Sequence, residues 1–204
     1  MKTTFLTLIA ALTLTLGAGS FASAKTIEND VTTLTNVTVI NKIEAHGNVE
    51  VFVTSGTKDG VKVYGNYYST GTLVQQDKGV LRVTNYDKAQ KLIVEVTVTD
   101  LRNIAAYDNA VIKSDRLSLI DLKVDLYNQA YASLQLNSYA TTLNVHGQAK
   151  ADVSGNVELY TSTYGFGTTV NRSELTAQNT EEKRIAAPAQ RIQIGQGFNA
   201  LASL

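Results

Sequence analysis

Cysteine is absent from all 204 residues, so no disulfide can brace this chain and burial and hydrogen bonding must hold it together. The same absence removes any cysteine that could carry a lipid anchor after a leader. Histidine occurs only twice, at His46 and His146, and with no thiol beside either this argues against a transition-metal site. No excess of one charge exists, since 18 basic residues face 18 acidic ones. Nothing in that balance points to a nucleic-acid partner, which would favour a clustered basic surface. Proline appears once, at Pro188 in a polar tail, and no convincing amphipathic helix of normal length precedes residue 178. Beyond the first two dozen residues, no apolar run could cross a bilayer as a helix.

What is present begins with an address. Lys2 precedes the apolar stretch FLTLIAALTLTLGAG, and SFASA closes it with Ala22-Ser23-Ala24. Charge, apolar run and small-residue site in that order predict a signal peptide over 1–24 and a mature domain over 25–204. Its removal leaves 17 basic against 18 acidic residues, a net charge of −1. The expected destination is the periplasm, the cell surface or the medium, with no membrane span remaining.

The mature chain alternates in steps of two. NVEVFV sets Val49, Val51 and Val53 on one side; KLIVEVTVT repeats this with Leu92, Val94, Val96 and Val98. LKVDLY and YASLQLN follow the same rule. Such segments are strands with one buried face, so the class is all-β.

A longer period overlies the short one. His46-Gly47, Tyr64-Gly65, Tyr86-Asp87, Tyr107-Asp108, Tyr127-Asn128, His146-Gly147 and Tyr164-Gly165 recur at spacings of 18, 22, 21, 20, 19 and 18. The residue after each ring is one that tolerates a left-handed turn, and three positions after the ring a small residue such as Ala110, Ala130 or Ala149 is common. The period predicts a single-domain right-handed parallel β-helix, a solenoid with coils of roughly 20 residues sharing one core. Residues 25 to about 100 are expected to form an antiparallel cap at its open end. In the tail, NTEE could cap a short helix from Asn179, although a solvated loop is favoured, and RIQIGQGF is expected to add a last strand.

Two stretches carry a family resemblance. NKIEAHGNVEVFVTSGTKDGVKVYGN, residues 41–66, has an Ile-x-x-x-Gly-x-Val-x-Val frame, a glycine-bearing turn and a second Val-x-Val ending in glycine. LIVEVTVTDLRNIAAYDNAVIKS, residues 92–114, runs from a Val-x-Val strand through a turn to Leu101 and Ile104, with Ala110 beyond. Both resemble bacterial secreted domains of the auto-transporter adhesin, head GIN domain family. The resemblance implies a β-helical exported protein of the bacterial cell envelope, and it brings no catalytic residue with it.

The candidate site is a column of rings. In the solenoid register Tyr86, Tyr107, Tyr127, His146 and Tyr164 stack along one edge, as a structural ladder or as a contact stripe for sugar rings or a partner surface. His46 and His146 then stand about five coils apart, around 24 Å, too far to share a metal. Of the acids Asp87, Asp100, Asp108, Asp115, Asp121, Asp125 and Asp152 only Asp87 and Asp108 share a coil position, where both are better explained as turn residues, and no G-x-S-x-G or calcium-binding nonapeptide occurs. The expectation is a non-catalytic, adhesin-like binding protein with no cofactor and no metal, whose partner is a glycan or a cell-surface protein. The alternatives are a carbohydrate-active enzyme on the same scaffold and a purely structural envelope protein.

Overall fold

The computed structural model describes residues 31–65 and 71–186. The expected leader over 1–24, Tyr67, Tyr68, Pro188 and the RIQIGQGF strand lie outside them. Thirteen strands and no helix occur among the described residues. They are β1 (Val31–Thr33), β2 (Lys42–Gly47), β3 (Val49–Ser55), β4 (Gly60–Tyr64), β5 (Thr72–Asp77), β6 (Val80–Asn85) and β7 (Leu92–Val98). β8 (Asn103–Tyr107), β9 (Val111–Leu126), β10 (Tyr131–Val145), β11 (Lys150–Tyr164), β12 (Thr169–Asn171) and β13 (Leu175–Arg184) follow. All thirteen belong to one connected sheet.

Among the strands from β8 to β13 every ladder is parallel, and partners lie 19 or 20 residues apart: Asn103 beside Lys123, Val111 beside Tyr131, Val145 beside Tyr164, Gly155 beside Leu175. The sequence period is therefore a real register. It keeps like residues above like. One inward column runs Leu81, Ile43, Ile104, Val124, Leu143; another runs Val94, Val51, Ile112, Ala132, Ala151. All ten are at most 1 % exposed, and burying each Val, Leu or Ile is worth about 1.5–3 kcal/mol. Ala110, Ala130 and Ala149 align at the corner before the second column, completely buried as their small size allows.

The order of the first strands departs from the chain order. β2 lies between β6 and β8, and β3 between β7 and β9, all parallel. The first long passage of the chain thus sits inside the stack, with residues 80–98 outside it. Where an antiparallel cap is expected over 25 to about 100, antiparallel pairing among the described residues is confined to β1 on β4, β4 on β7 and β5 on β6. Period-two patterning fixes which face a strand buries; it does not say which neighbour it joins. Val-x-Val strands serve either position.

At the other end, residues 175–184 form neither the short helix nor the loop expected of NTEE. They pair with β11 as an edge strand. A row of open backbone groups on β11 outweighs the local preference of NTEE, and the exposed, charged side chains of β13 suit an edge. Beneath β13 the interior turns polar: Tyr160 and Ser162 are buried, and the Ser162 hydroxyl lies close enough to act on the Tyr160 phenol, but neither makes a well-formed hydrogen bond among the described residues. Burial pushes the Tyr160 phenol up to about 12.

Candidate functional site

The rings stand on the outer face where the parallel strands end and turn. Each turn closes by a hydrogen bond from the small residue to the ring residue: Ala110 N to Tyr107 O, Ala130 N to Tyr127 O, Ala149 N to His146 O. The residue after the ring takes a left-handed backbone, with φ of 59° at Asp108, 61° at Asn128 and 71° at Gly147. That requirement explains why the position holds only Asp, Asn or Gly. The Asn128 amide also donates to the Asp108 carboxylate, tying one turn to the next at 3.0 Å.

Tyr107, Tyr127 and His146 stack one on another, and His46 joins them at the opposite end. Ring centroids are 4.4 Å apart for His46–Tyr107, 4.8 Å for Tyr107–Tyr127 and 4.9 Å for Tyr127–His146. The interplanar angles are 2°, 5° and 9°, so both flat faces of Tyr107 and Tyr127 are covered by neighbouring rings. All four rings are half-buried. Burial and the neighbouring Tyr127 push the Tyr107 phenol above its ordinary value. His46 and His146 are thus three stacking steps apart, not five coils, because β2 sits directly against β8.

Tyr86 and Tyr164 do not join the column. Thr84 is the residue beside His46, and Tyr86 lies two positions further on, 62 % exposed. Tyr164 pairs with Val145 and packs against the core. Its spacing from His146 is 18 residues where the ladder advances by 19, and a slip of one residue turns a side chain to the other face. Gly165 takes the ring position instead.

Charged side chains beside the ladder are paired locally. Glu44 meets Lys42 at 2.6 Å and Arg82 at 2.9 Å, and the Lys42 contact leads in holding its carboxyl below the usual range. Lys123 meets Asp125 at 3.1 Å, and the Asn144 amide donates to the same carboxylate at 2.9 Å. The other acids singled out in the sequence are scattered too: Asp87 accepts from Ala89 N, Asp100 pairs with Arg102, Asp108 with Asn128 and Asp152 with the Tyr131 hydroxyl. Among the described residues no three His, Asp or Glu side chains converge as metal ligands.

Around the corner from the ladder, Gln129, Tyr131, Gln148, Lys150 and Gly167 line an open cleft of about 690 Å³. Gln129 and Gln148 occupy matching turn positions, with backbone N–H groups bonded to the turn below (Asp108 O and Asn128 O), and their side-chain amides make no hydrogen bond among the described residues. Tyr131 stands beside Lys150 on the adjoining strand, half-buried, with its hydroxyl fixed by Asp152. That bond is the leading reason its phenol titrates above the ordinary value. The sequence signal for this cleft was the residue two places after each ring, which the ring pattern itself overlooks. A second, more apolar groove of about 400 Å³ lies at Phe52, Val61, Glu95 and Thr97.

Comparison with known proteins bears on the fold. A crystal structure from Parabacteroides distasonis described as a putative lipid binding protein superposes with a TM-score of 0.59 at 9 % identity, over 76 % of this chain and 78 % of that one. A second from the same organism, described as a putative adhesin, gives 0.52 at 14 % identity, over 78 % and 80 %. Among curated proteins no sequence is similar enough to match. No helix among the described residues is long and apolar enough to cross a membrane. Residues 40–187 match the family described as "Putative auto-transporter adhesin, head GIN domain", which spans both resembling stretches and the whole ring column, and the chain belongs to that family.

Proposed function

We propose that this is an exported, non-catalytic binding protein of the bacterial cell envelope that holds a glycan in the corner cleft. The observation that carries this reading is the cleft itself. A tyrosine ring stands beside two uncommitted amides and a lysine on adjoining strands, and flat apolar faces next to spare donors and acceptors are what a sugar ring requires. The volume falls in the range of about 300–1,000 Å³ typical of small-ligand sites. The scattered pairing of the acids supports binding over hydrolysis, which needs two carboxylates facing one bond.

In this reading the parallel register is that of a right-handed β-solenoid over 25–204, released by cleavage after Ala24. Tyr107 and Tyr127 hold the stack together and do not contact ligand, because their faces are taken. Intact-mass measurement of the exported protein tests the cleavage; a species retaining FLTLIAALTL overturns it. Glycan-array binding followed by calorimetry tests the function. Tyr131→Ala and the double change Gln129→Ala/Gln148→Ala should each lose at least tenfold in affinity with folding intact. A glycan bound equally well by both variants, or none bound by the parent, refutes it.

A further inference from the structure

The ladder of rings stops two steps short of the sheet's end. Beyond His146 the next residue in the column is Gly165, as Val145 pairs with Tyr164; beyond that comes Ile185, as Tyr164 pairs with Arg184. The Gly165 N–H bonds to Val145 O at 3.3 Å and the Ile185 N–H to Tyr164 O at 2.9 Å, so the backbone is continuous across the gap. Only the side chain is missing. Apart from its chain neighbours Tyr164 and Phe166, no atom among the described residues lies within 4 Å of where a Cβ on Gly165 would be, and the backbone there is not left-handed.

His146 and Ile185 thus stand at matching backbone positions on either side of Gly165, two strand spacings or about 9.6 Å apart. Within the ladder rings recur every 4.4 to 4.9 Å. A slot of that width takes one flat ring, in contact with imidazole on one side and an aliphatic side chain on the other.

We infer that this slot is a second subsite, for a single pyranose ring of the glycan proposed above, and it rests on that reading. The flanks favour sugar over an aromatic side chain from a partner. Thr163 and Lys183 stand at the next outward position of the same two strands, with no side-chain partner among the described residues, and Asn144 stands beside Thr163 on β10. A ring bearing hydroxyls can bond to these groups while its apolar face lies on His146. A phenyl ring offers them nothing, and a phenol offers a single hydroxyl where a pyranose offers several. Phe166, 74 % exposed, is the only side chain between Gly165 of the slot and Gly167 of the cleft, so one oligosaccharide can cross the corner from one to the other.

The test is an NMR titration of the full chain with methyl pyranosides of glucose, mannose, galactose and N-acetylglucosamine, and with p-cresol as the aromatic probe, reading the His146 imidazole and Ile185 methyl signals. At least one pyranoside should shift both. Gly165→Tyr, which places a ring in the slot, should weaken that binding at least tenfold while melting no lower than the parent. If Gly165→Tyr does not fold, Ile185→Ala at an exposed position should weaken it in the same sense. Tyr131→Ala should leave these shifts intact. Shifts from p-cresol alone, from no probe, or unchanged in Gly165→Tyr overturn the slot. Cleft binding lost in Tyr131→Ala without any His146 shift overturns the slot alone; His146 and Ile185 shifts with cleft binding unaltered in Tyr131→Ala support the slot and remove the cleft.

Discussion

Tyr127→Ala removes the ring that is stacked on both faces. A fully buried tyrosine hides about 150–250 Å². Tyr127 is half-buried, so about 100 Å² of mostly apolar surface is exposed anew, about 2.5 kcal/mol at 25 cal/mol per Å². Two ring contacts, at 4.8 and 4.9 Å, add about 0.5–1.5 kcal/mol each. Inward settling of Tyr107 and His146 recovers part of the sum, which leaves an expected loss of about 3–4 kcal/mol. His146→Ala gives up one ring contact in place of two and should cost about half as much. Tyr127→Leu keeps much of the buried area and should recover about half of the loss. Urea unfolding followed by circular dichroism measures all three. In a thermal melt Tyr127→Ala should fall by about 6–16 °C, at 2–4 °C per kcal/mol for a domain of this size. A double-mutant cycle of Tyr107 and Tyr127 should give a coupling of about 1 kcal/mol. A Tyr127→Ala loss below about 0.5 kcal/mol, typical of an unconstrained surface position, would refute the ladder as a source of stability.

Tyr160→Phe removes a buried hydroxyl whose contact with Ser162 is no well-formed hydrogen bond, and should stabilise by about 1 kcal/mol at neutral pH. Because the folded phenol titrates at about 12, above its unfolded value near 10, stability is full below pH 10 and falls as pH rises toward 12, and the phenylalanine variant should resist alkali better in a base-unfolding curve. Glu50, paired with Lys113 at 2.6 Å and Lys91 at 3.0 Å, has its carboxyl held below the ordinary range, with the Lys113 contact the largest cause. Its contribution is present above the ordinary carboxylate pKa and lost as pH falls through the lowered folded value; Glu50→Gln should cost about 1 kcal/mol at pH 7 and converge with the parent in acid. Gly155→Ala should lose about 3 kcal/mol or more in the same urea assay, since φ is 98° there and an added Cβ would sit 2.1 Å from the Leu136 carbonyl oxygen. An unchanged midpoint would mean that the bend at Gly155 relaxes.

The sequence announced strands, inward residues and the turn chemistry because these depend on neighbours two to four positions apart. Val49, Val51 and Val53 face inward as their alternation requires, and Asp108 and Asn128 take the left-handed turns that their types allow. Which strand lies beside which depends on contacts between residues such as Lys42 and Asn103, and nothing local encodes that choice. The ring column was legible where spacing and register agree, at Tyr107, Tyr127 and His146. It was misread at Tyr164 by one residue and at Tyr86 by two. The cleft escaped notice because glutamine at a turn has no pattern of its own; only the register brings Gln129 over Gln148.

Placing β2 and β3 between later strands has a consequence for the order in which the molecule can come apart and be built. Residues 42–55 cannot peel away first, although they come early in the chain, because residues 80–98 cover one side and residues 103–114 the other. Amide protection should therefore run out of step with sequence position, with residues 72–85 opening before residues 42–55 do. During synthesis the reverse constraint applies: β2 and β3 emerge with both edges bare, and their second side is closed only once residues 103–114 have been made. The part from β8 onward, in which β9 to β13 pair with partners only 19 or 20 residues earlier, is where a folding nucleus can grow by short steps.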